Sequence, residues 1–428
     1  MRVRIVAATA FVVVLAAVVA TSGLATTKDQ SITVWLQVDA QNGWPGVVKA
    51  ANDAFQQQHP GVNVDVEYQT WGEHLTKLDA SLAGGDAPDV VELGNTETVK
   101  YMANGALADL TSAKSQFPNS KTWLQGLAES GEYNGKTYAV PYYAGARAAI
   151  YNIDLYKQAG VSTRAPKSLA QFLANGQKLM KKFGSNPNFS ALYLPGRDWY
   201  VGMSFVYDYG GQIAKQVNGK WQGTLESPQA QAGLTELKTV VRALSRANPT
   251  GDEAHPQEAL VFAKGTVGTF VGNGWEWPYA LDAKVGNPAL AGHVGAFPMP
   301  SHTPGKYMPT FLGGSDLAVP VTTKNKQLAI DWIKDFTSTS AETKIALAGN
   351  IPNTTSLVKI NAGKPTLGPF AKAAEYSWFV PAAKNWANVE NANVLQSMLS
   401  KIVSGHASVA SATKAADAQI TQILNASS

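Results

Sequence analysis

Residues 273–278 (Asn-Gly-Trp-Glu-Trp-Pro) place two indole rings, a carboxylate and a flexible glycine within six positions. Aromatic faces beside hydrogen-bonding groups suit a sugar ring, because its C–H face packs on an indole and its hydroxyls need fixed polar partners. Core packing is the alternative role for Trp275 and Trp277, since tryptophan is highly buried on average. The stretch therefore predicts either a sugar platform or a core contact.

Catalytic and cofactor chemistry has little support in the rest of the chain. Glu92 and Glu276 could form the acid–base pair of a glycosidase, but no motif supports that pairing. No phosphate-binding loop or dinucleotide fingerprint occurs, and residues 313–317 (Gly-Gly-Ser-Asp-Leu) fail the nucleophile-elbow pattern at Leu317. The six histidines form no metal-binding pair, and the chain has no cysteine. We therefore predict no catalytic residue, no cofactor and no metal.

The elements that must position these residues alternate between strand and helix. Residues 31–38, 62–68 and 88–93 are rich in β-branched and aromatic side chains, as strands are. A helix that stops at residues 59–61 (His-Pro-Gly) and a second helix over 71–83 separate them. The alternation predicts a parallel sheet covered by helices.

Ligands of such a sheet bind beyond the carboxyl ends of its strands. Four side chains stand at or just after predicted strand ends: Asp39, Trp71, Glu92 and Asn95. Their position makes them candidates for a binding site, and the alternative is that each is a solvated loop residue.

A second α/β pattern follows a predicted hairpin over residues 133–141, whose Asn134-Gly135 dipeptide is a strong turn signal. Small residues around Gly145 suit a hinge between two lobes. Helix-start signals recur further on: they are Ser168 with Gln171, Ser227 with Pro228, and Thr339 with Glu342. The tail from residue 388 predicts two helices broken near Gly405.

Length and charge narrow the class of protein. A chain of 428 residues exceeds the size at which one hydrophobic core keeps growing, so two lobes are expected. Without Arg2 and Arg4, which belong to the N-terminal leader, the 35 Lys and Arg residues fall to 33, against 31 Asp and Glu. Because this balance is near neutral and has no basic cluster, we do not predict nucleic acid as a partner.

Residues 1–25 have the layout of a secretory signal peptide, with a basic start, an apolar run over 5–20 and small residues after it. An uncleaved membrane anchor is the alternative. Residues 21–23 (Thr-Ser-Gly) resemble the end of a bacterial lipobox, but Leu24 stands where the lipid-bearing cysteine belongs. We therefore expect an exported protein at the cell envelope, on the outer face of the cytoplasmic membrane, with no lipid at that position.

Short pieces along the chain also follow a familiar order. They are residues 32–35 (Ile-Thr-Val-Trp), 59–64 (His-Pro-Gly-Val-Asn-Val), 84–90 (Gly-Gly-Asp-Ala-Pro-Asp-Val), 135–141 (Gly-Lys-Thr-Tyr-Ala-Val-Pro), 150–152 (Ile-Tyr-Asn), 262–265 (Phe-Ala-Lys-Gly), 274–275 (Gly-Trp), 313–314 (Gly-Gly) and 351–352 (Ile-Pro). Together they resemble the extracellular sugar-binding proteins of bacterial ABC importers, the maltodextrin-binding-like cluster of solute-binding family 1. Each piece is weak alone, but their common order makes the resemblance specific, and it covers essentially the whole mature chain.

The resemblance implies an α/β, two-lobed periplasmic-binding-protein-like fold, with a hinge of about three crossings and a ligand cleft between the lobes. One lobe would comprise residues 26–143 plus 312–352, and the other 144–311 plus 353–428. By position, Trp199 and Trp275 become stacking platforms, Arg147 becomes a hydroxyl partner, and one of two tail tryptophans caps the sugar. The complete candidate site is Gln37, Asp39, Trp71, Glu92, Asn95, Tyr142, Arg147, Asp198, Trp199, Trp275, Glu276, Gly314, Asp316, Trp378 and Trp386.

The implied function is capture of a monosaccharide or oligosaccharide, N-acetylated sugars included, by a monomer that closes on it and delivers it to a membrane permease. The same fold holding a polyamine, iron or a glycerophosphodiester is an alternative. Several carboxylates near aromatic rings suit a polyamine, the adjacent Tyr142 and Tyr143 suit iron, and only Arg147 and Arg197 offer charge to a phosphodiester. A secreted carbohydrate-active enzyme is the remaining alternative.

Overall fold

The computed structural model describes residues 30–71 and 73–426. The predicted signal peptide, residues 1–25, lies outside the described residues. The strands are β1 (Gln30–Gln37), β2 (Val62–Gln69), β3 (Val90–Gly94), β4 (Glu132–Tyr133), β5 (Lys136–Thr137), β6 (Ala139–Gly145), β7 (Arg147–Asn152), β8 (Ala214–Val217), β9 (Lys220–Gly223), β10 (Thr269–Asn273), β11 (Val294–Phe297), β12 (Thr310–Phe311), β13 (Gly313–Ala318), β14 (Ile351–Pro352) and β15 (Ser377–Trp378).

The α-helices are α1 (Val38–Gly43), α2 (Pro45–Gln58), α3 (His74–Gly84), α4 (Thr98–Ala103), α5 (Gln125–Ser130), α6 (Ile153–Gln158), α7 (Leu169–Phe183), α8 (Trp199–Asp208), α9 (Pro228–Leu244), α10 (Glu258–Ala263), α11 (Glu276–Ala280), α12 (Lys326–Phe336), α13 (Thr339–Leu347), α14 (Thr355–Val358), α15 (Gly368–Ala374), α16 (Trp386–Asn391), α17 (Val394–Ser404) and α18 (Val409–Leu424). Short 3-10 turns lie at Thr111–Gln116, Pro288–Leu290 and Lys359–Asn361. Across the described residues, no helix is both long and apolar enough to cross a membrane.

A six-stranded sheet with the order β14-β6-β13-β3-β1-β2 organises the N-terminal part of the chain. β1 pairs in parallel with both β2 and β3, so the predicted parallel arrangement is confirmed for these three strands. β13 runs antiparallel to β3, and β14 antiparallel to β6. The sheet is therefore mixed, because strands from much later in the sequence complete it.

A second, three-stranded sheet has β7 in its middle, antiparallel to β10 and to β11. The register places Arg147 opposite Asn273, so the start of β7 and the end of β10 lie together at one edge. This edge faces the carboxyl ends of β1 and β3 across an open cleft.

The chain passes between the two sheets at three places. β6 ends at Gly145 before β7 begins, and Leu312 separates β12 from β13. The third passage follows Asn361, because the Asn361 side-chain amide still donates to the Ala346 carbonyl oxygen at 2.6 Å. We propose lobe boundaries at these passages, two to nine residues beyond the predicted ends at 143 and 352.

Apolar side chains fill each lobe separately and also the passages between them. In the first lobe, Phe55 of α2 and Phe336 of α12 pack against the sheet. In the second lobe, α7, α8 and α9 share a core with the C-terminal helices. A small cluster at the passages contains Leu127, Ala144, Ala146, Leu312 and Ile351. This cluster packs at the first two passages, and three short crossings between two lobes form the arrangement expected of a hinge.

Most of the predicted helix and turn signals are confirmed. Ser168 and Ser227 cap α7 and α9 by accepting backbone N–H groups, and Gly405 ends α17 in the left-handed conformation. The predicted cap at Thr339 is wrong, because Ser338 caps α13. Glu342, the other half of the predicted capping box, instead accepts the Asn353 backbone N–H at 2.8 Å, so a tertiary contact takes its carboxylate.

Candidate functional site

The cleft between the sheets has a volume of about 540 Å³, within the roughly 300–1,000 Å³ typical of small-molecule sites. Residues that follow the carboxyl ends of β1, β2 and β3 line one wall, and residues at the joined ends of β7 and β10 line the other. Eight predicted site residues line it: Asp39, Trp71, Asn95, Arg147, Trp199, Trp275, Glu276 and Gly314.

On the first wall, Trp71 presents the most exposed large aromatic ring of the cleft, with 41% of its surface exposed. Its indole N–H donates to Asp39 Oδ2 at 2.6 Å. Burial raises the pKa of Asp39, and the indole hydrogen bond partly offsets that rise. Asp39 therefore orients the ring and itself lines the cleft.

Asn95 and Gly314 join the ends of β3 and β13 at the floor of the cleft. The Asn95 backbone N–H donates to the Gly314 carbonyl oxygen at 2.8 Å, and its side-chain amide donates to the Leu312 carbonyl oxygen at 3.0 Å. A Cβ atom on Gly314 would lie 2.1 Å from the Tyr143 carbonyl oxygen. Glycine is required there, because only a bare backbone fits against β6.

On the second wall, Arg147 lies over the Tyr200 ring, with its guanidinium carbon 4.1 Å from the ring centroid. Tyr200 in turn stacks on Phe311 at 5.1 Å between ring centroids. Desolvation would lower the pKa of Arg147, but the nearby carboxylates, including Asp198, raise it above its usual value. Arg147 is the one cationic side chain among the described residues that line the cleft.

The loop between β10 and α11 places Trp275 on the cleft and Trp277 in the core. Trp275 is half-buried and lines the cleft, while Trp277 is 8% exposed within the second lobe's apolar packing. A Cβ atom on Gly274 would lie 2.2 Å from the Gly349 carbonyl oxygen of the first lobe. The loop therefore approaches the other lobe backbone to backbone, beside Trp275.

Glu276 is held firmly at the start of α11. Its Oε1 accepts from the Gln257 side-chain amide at 2.8 Å, and its Oε2 accepts from the Asn273 backbone N–H at 2.5 Å. Burial is the main cause that raises the pKa of Glu276 to about 7, against the effects of these hydrogen bonds and of Arg147.

The cleft is lined by five carboxylates: Asp39, Glu97, Glu253, Glu276 and Glu390. Burial raises the pKa of Glu390 to about 8 and also raises the pKa of Glu253. Glu390 Oε2 accepts from the Thr96 hydroxyl at 3.1 Å, and this hydrogen bond joins the two lobes. Carboxyl groups that are neutral near pH 7 can donate as well as accept hydrogen bonds.

Seven predicted site residues lie outside the cleft lining: Gln37, Glu92, Tyr142, Asp198, Asp316, Trp378 and Trp386. Glu92 lies under the floor, where Oε2 accepts the Gln37 backbone N–H at 2.8 Å and burial raises the pKa of Glu92 to about 8. Asp316 points into the first lobe and accepts from Thr98 and Ser130 at 2.8 and 3.0 Å.

Tyr142 is buried rather than at the cleft. The pairing of β6 with β13 shifts register here, with Tyr143 opposite Ser315 and Pro141 opposite Asp316, so Tyr142 is an extra residue in β6. Tyr143 lines the cleft, whereas Tyr142 is fully buried against Trp44 and Phe336. Asp198 is 2% exposed and caps α8 by accepting the Val201 N–H at 3.1 Å.

The two tail tryptophans pack against Trp199, which lines the cleft. Trp378 and Trp386 are 2% and 0% exposed in the second lobe's core, with ring centroids 6.1 and 6.3 Å from Trp199. The prediction that one of them caps the ligand is therefore withdrawn, because core packing buries both rings.

Sequence reasoning missed several lining residues, which are Tyr200, Glu253, Gln257, Asn350, Glu390 and Gln396, and it named Tyr143 only as a partner of Tyr142 for iron. Asn350 had a usable signal, because it directly precedes residues 351–352 of the resemblance. It is 1% exposed, and neither its Nδ2 nor its Oδ1 has a hydrogen-bond partner among the described residues. Such a buried amide in the lining of the cleft suits a ligand that completes its hydrogen bonds. Within residues 30–71 and 73–426, no group of three or more His, Asp or Glu side chains could hold a metal ion.

Two sheets joined by three passages, with a polar and aromatic cleft between them, define the class of two-lobed binding proteins. Residues 50–369 match the family model of the bacterial extracellular solute-binding protein, and the chain belongs to that family.

The chain is 32% identical over 382 residues to the diacetylchitobiose binding protein DasA of Streptomyces coelicolor, covering 88% of this chain and 86% of that one. It is 22% identical over 313 residues to a galactooligosaccharide-binding protein of Bacillus subtilis, covering 72% and 69%.

Solved structures share the fold at low identity. The GacH receptor of Streptomyces glaucescens, solved unliganded and with acarbose, superposes with a TM-score of 0.78 at 22% identity, over 94% of this chain and 100% of that one. Maltose-bound MalE3 of T. maritima gives a TM-score of 0.75 at 21% identity, over 91% and 98%. These likenesses establish the two-lobed α/β fold.

Proposed function

We propose that the protein is the extracellular carbohydrate-binding component of an ABC importer, and that it captures an oligosaccharide in the cleft between its lobes. The observation that carries the proposal is the pair of tryptophans, Trp71 and Trp275, that line opposite walls of one polar cleft. Indole faces bury the apolar faces of sugar rings, and the surrounding amides and carboxyls bind hydroxyls.

The names of the relatives favour a short oligosaccharide, and an N-acetylated disaccharide is the first ligand to test. The relative with 32% identity is named for diacetylchitobiose, and the structural neighbour GacH binds acarbose. Half-buried Trp275 and the exposed face of Trp71 offer separate platforms, which suits more than one sugar ring.

Capture would proceed by closure of the lobes about the three passages at residues 146, 312 and 362–367. A ligand that touches both walls binds the closed form more tightly than the open form, and this difference drives closure. The Thr96–Glu390 hydrogen bond and the close approach of Gly274 to Gly349 are contacts that closure would adjust.

Binding without catalysis is the second part of the proposal. Glu92, one half of the glycosidase pair considered from sequence, lies under the floor of the cleft, and both oxygens of Glu276 are engaged by the protein. The family consists of solute-binding proteins, which fits delivery of an unmodified ligand to a permease. The proposal also includes export directed by the N-terminal leader, a monomeric state and docking on permease subunits.

A polyamine is the second candidate ligand, because the cleft holds five carboxylates and one cationic side chain, Arg147. Burial raises the pKa of Glu276 to about 7 and that of Glu390 to about 8, which weakens that candidate because it reduces the negative charge offered to a cation. A glycerophosphodiester is disfavoured because Arg147 alone, among the described residues that line the cleft, offers it a positive charge.

A thermal-shift and tryptophan-fluorescence screen separates these candidates. We expect N,N'-diacetylchitobiose or another short oligosaccharide to raise the melting temperature and shift the emission, and spermidine and glycerophosphocholine to do neither. A response to spermidine and to no saccharide would instead indicate a polyamine-binding protein. Chromatography of the bound sugar after long incubation should return it unchanged, and cleavage products would establish an enzyme.

A further inference from the structure

His74 is a histidine at the start of α3, 2% exposed, with an acceptor on each ring nitrogen. Its Nδ1 lies 3.0 Å from the Trp71 carbonyl oxygen, and its Nε2 lies 2.9 Å from Glu97 Oε2. A carbonyl oxygen only accepts, and so does an ionised carboxylate, whereas a neutral imidazole carries one N–H. Both hydrogen bonds beside an ionised Glu97 therefore require the doubly protonated imidazolium.

The charged groups that face His74 favour that cation. Glu97 comes from the loop between β3 and α4, and its Oε2 also accepts the Gly94 backbone N–H at 2.8 Å. Glu92 of β3 also lies near His74, but burial is the larger effect and raises the pKa of Glu92 to about 8. On α3 itself, Glu73 and Lys77 pair at 3.8 Å and are both more than half exposed. Burial by itself would lower the pKa of His74, but the interactions with Glu97 and with backbone carbonyls leave that pKa raised.

The Trp71 ring is 41% exposed, and two contacts that orient it are the hydrogen bond to Asp39 and the edge-to-face contact with His74. Its indole meets the His74 ring edge-to-face, with centroids 5.2 Å apart and planes at 87°. A Cβ atom on Gly94 would lie 3.0 Å from Glu97 Oε2 and 3.4 Å from Trp71 Cζ3, so the bare Gly94 backbone leaves room for both side chains.

We propose that His74 is a positioning residue for ligand binding: as an imidazolium it ties the Trp71 peptide to Glu97 and so fixes the Trp71 ring at the cleft. The inference rests on the proposed function, in which that ring stacks on a sugar. Both hydrogen bonds of His74 form at low pH, where the ring is protonated. One of them is lost as the pH rises through the raised pKa of His74, because one of the two N–H donors disappears.

The test compares His74→Gln with a matched control, His293→Gln. The His293 Nδ1 also faces a carboxylate, Asp154 Oδ2 at 2.7 Å, but His293 is half exposed and does not line the cleft. A glutamine at position 74 can donate to one acceptor through its amide but cannot replace both ring donors. Calorimetry with N,N'-diacetylchitobiose at several pH values gives the ratio of the variant Kd to the wild-type Kd.

For His74→Gln we expect this ratio to be about three to ten near pH 6, since losing the alignment of an aromatic contact weakens binding by about that factor. Near pH 9 the ratio should approach one, because the wild-type protein has then lost the same hydrogen bond. For His293→Gln it should stay near one throughout. Taking a ratio cancels the titration of cleft carboxyls that do not contact position 74, such as Glu276, because both proteins share them. A ratio for His74→Gln that does not change with pH would overturn the proposal.

Proton NMR of the wild-type protein provides a readout that needs no ligand and no substitution at position 74. The imidazole resonance of His74 should titrate above the ordinary value of 6.5, and the Trp71 indole N–H, assigned with Trp71→Phe, should shift with the same midpoint. If His74 is already neutral near pH 6, or if the indole does not follow it, the inference fails. If the saccharide fails to bind at every pH, the proposed function is wrong. The NMR titration then tests the role of His74 by itself.

Discussion

Replacing Trp71 by alanine isolates the platform on the first wall. The ring is 41% exposed, and a tryptophan side chain has up to about 250 Å² to bury, so roughly 100 Å² is available to a ligand. At about 25 cal/mol per Å², covering all of it stabilises the complex by about 2.5 kcal/mol, and covering one face by about half of that. We therefore expect the Kd of the saccharide to rise between about 8-fold and about 70-fold.

Calorimetry against the saccharide that gives the largest thermal shift measures this change, and two further variants sharpen it. Trp71→Phe keeps an aromatic face but loses the N–H donated to Asp39, so it should fall between wild type and Trp71→Ala. Trp221→Ala removes a half-buried indole on β9, away from the cleft, and should leave the Kd unchanged. A Kd for Trp71→Ala within twofold of wild type would refute a stacking role for this ring.

Three further predictions follow from the cleft. Burial raises the pKa of Glu390 to about 8 from an ordinary value of 4.5. The folded protein therefore keeps a proton that the unfolded chain releases, and stability falls as the pH rises from about 5 to 8, by up to about 1.4 kcal/mol per pH unit. Glu390→Gln should show a smaller fall in melting temperature over that range, and an identical fall would contradict the assignment. Gly274→Ala drives a Cβ against the Gly349 carbonyl oxygen and should destabilise the protein by about 1–3 kcal/mol and weaken saccharide binding, whereas Gly46→Ala, with open space around its Cβ, should do neither. Asn350→Ala removes a buried amide that has no side-chain hydrogen-bond partner among the described residues, so the melting temperature of the ligand-free protein should hold or rise while saccharide affinity falls at least about tenfold; unchanged affinity would exclude Asn350 from the site.

The sequence predicted the first lobe well because its signals are local. Strand and helix periodicity located β1 to β3 within two residues, and the rule that ligands lie at carboxyl strand ends selected Asp39, Trp71 and Asn95, which do line the cleft. The signal peptide and the lack of a lipid anchor at position 24 concern residues 1–25, and both stay predictions.

The errors arose where long-range packing decides which side of an element faces the cleft. Tyr142 and Tyr143 are adjacent and chemically alike, and only the pairing of β6 with β13 shows which one points to the ligand. Trp386 and Glu390 lie one helical turn apart on α16, yet the tryptophan enters the core and the carboxylate lines the cleft. Composition and spacing at those positions carry no information about that choice.

A crystal structure of the protein with the saccharide that gives the largest thermal shift tests the central claim most directly. We expect sugar rings between the two walls, with one ring on the face of Trp71 and another on Trp275. We also expect Asn350 to be hydrogen-bonded to a hydroxyl or an acetamido group. Density for the saccharide outside this cleft, or inside it but in contact with neither tryptophan, would contradict the proposed site.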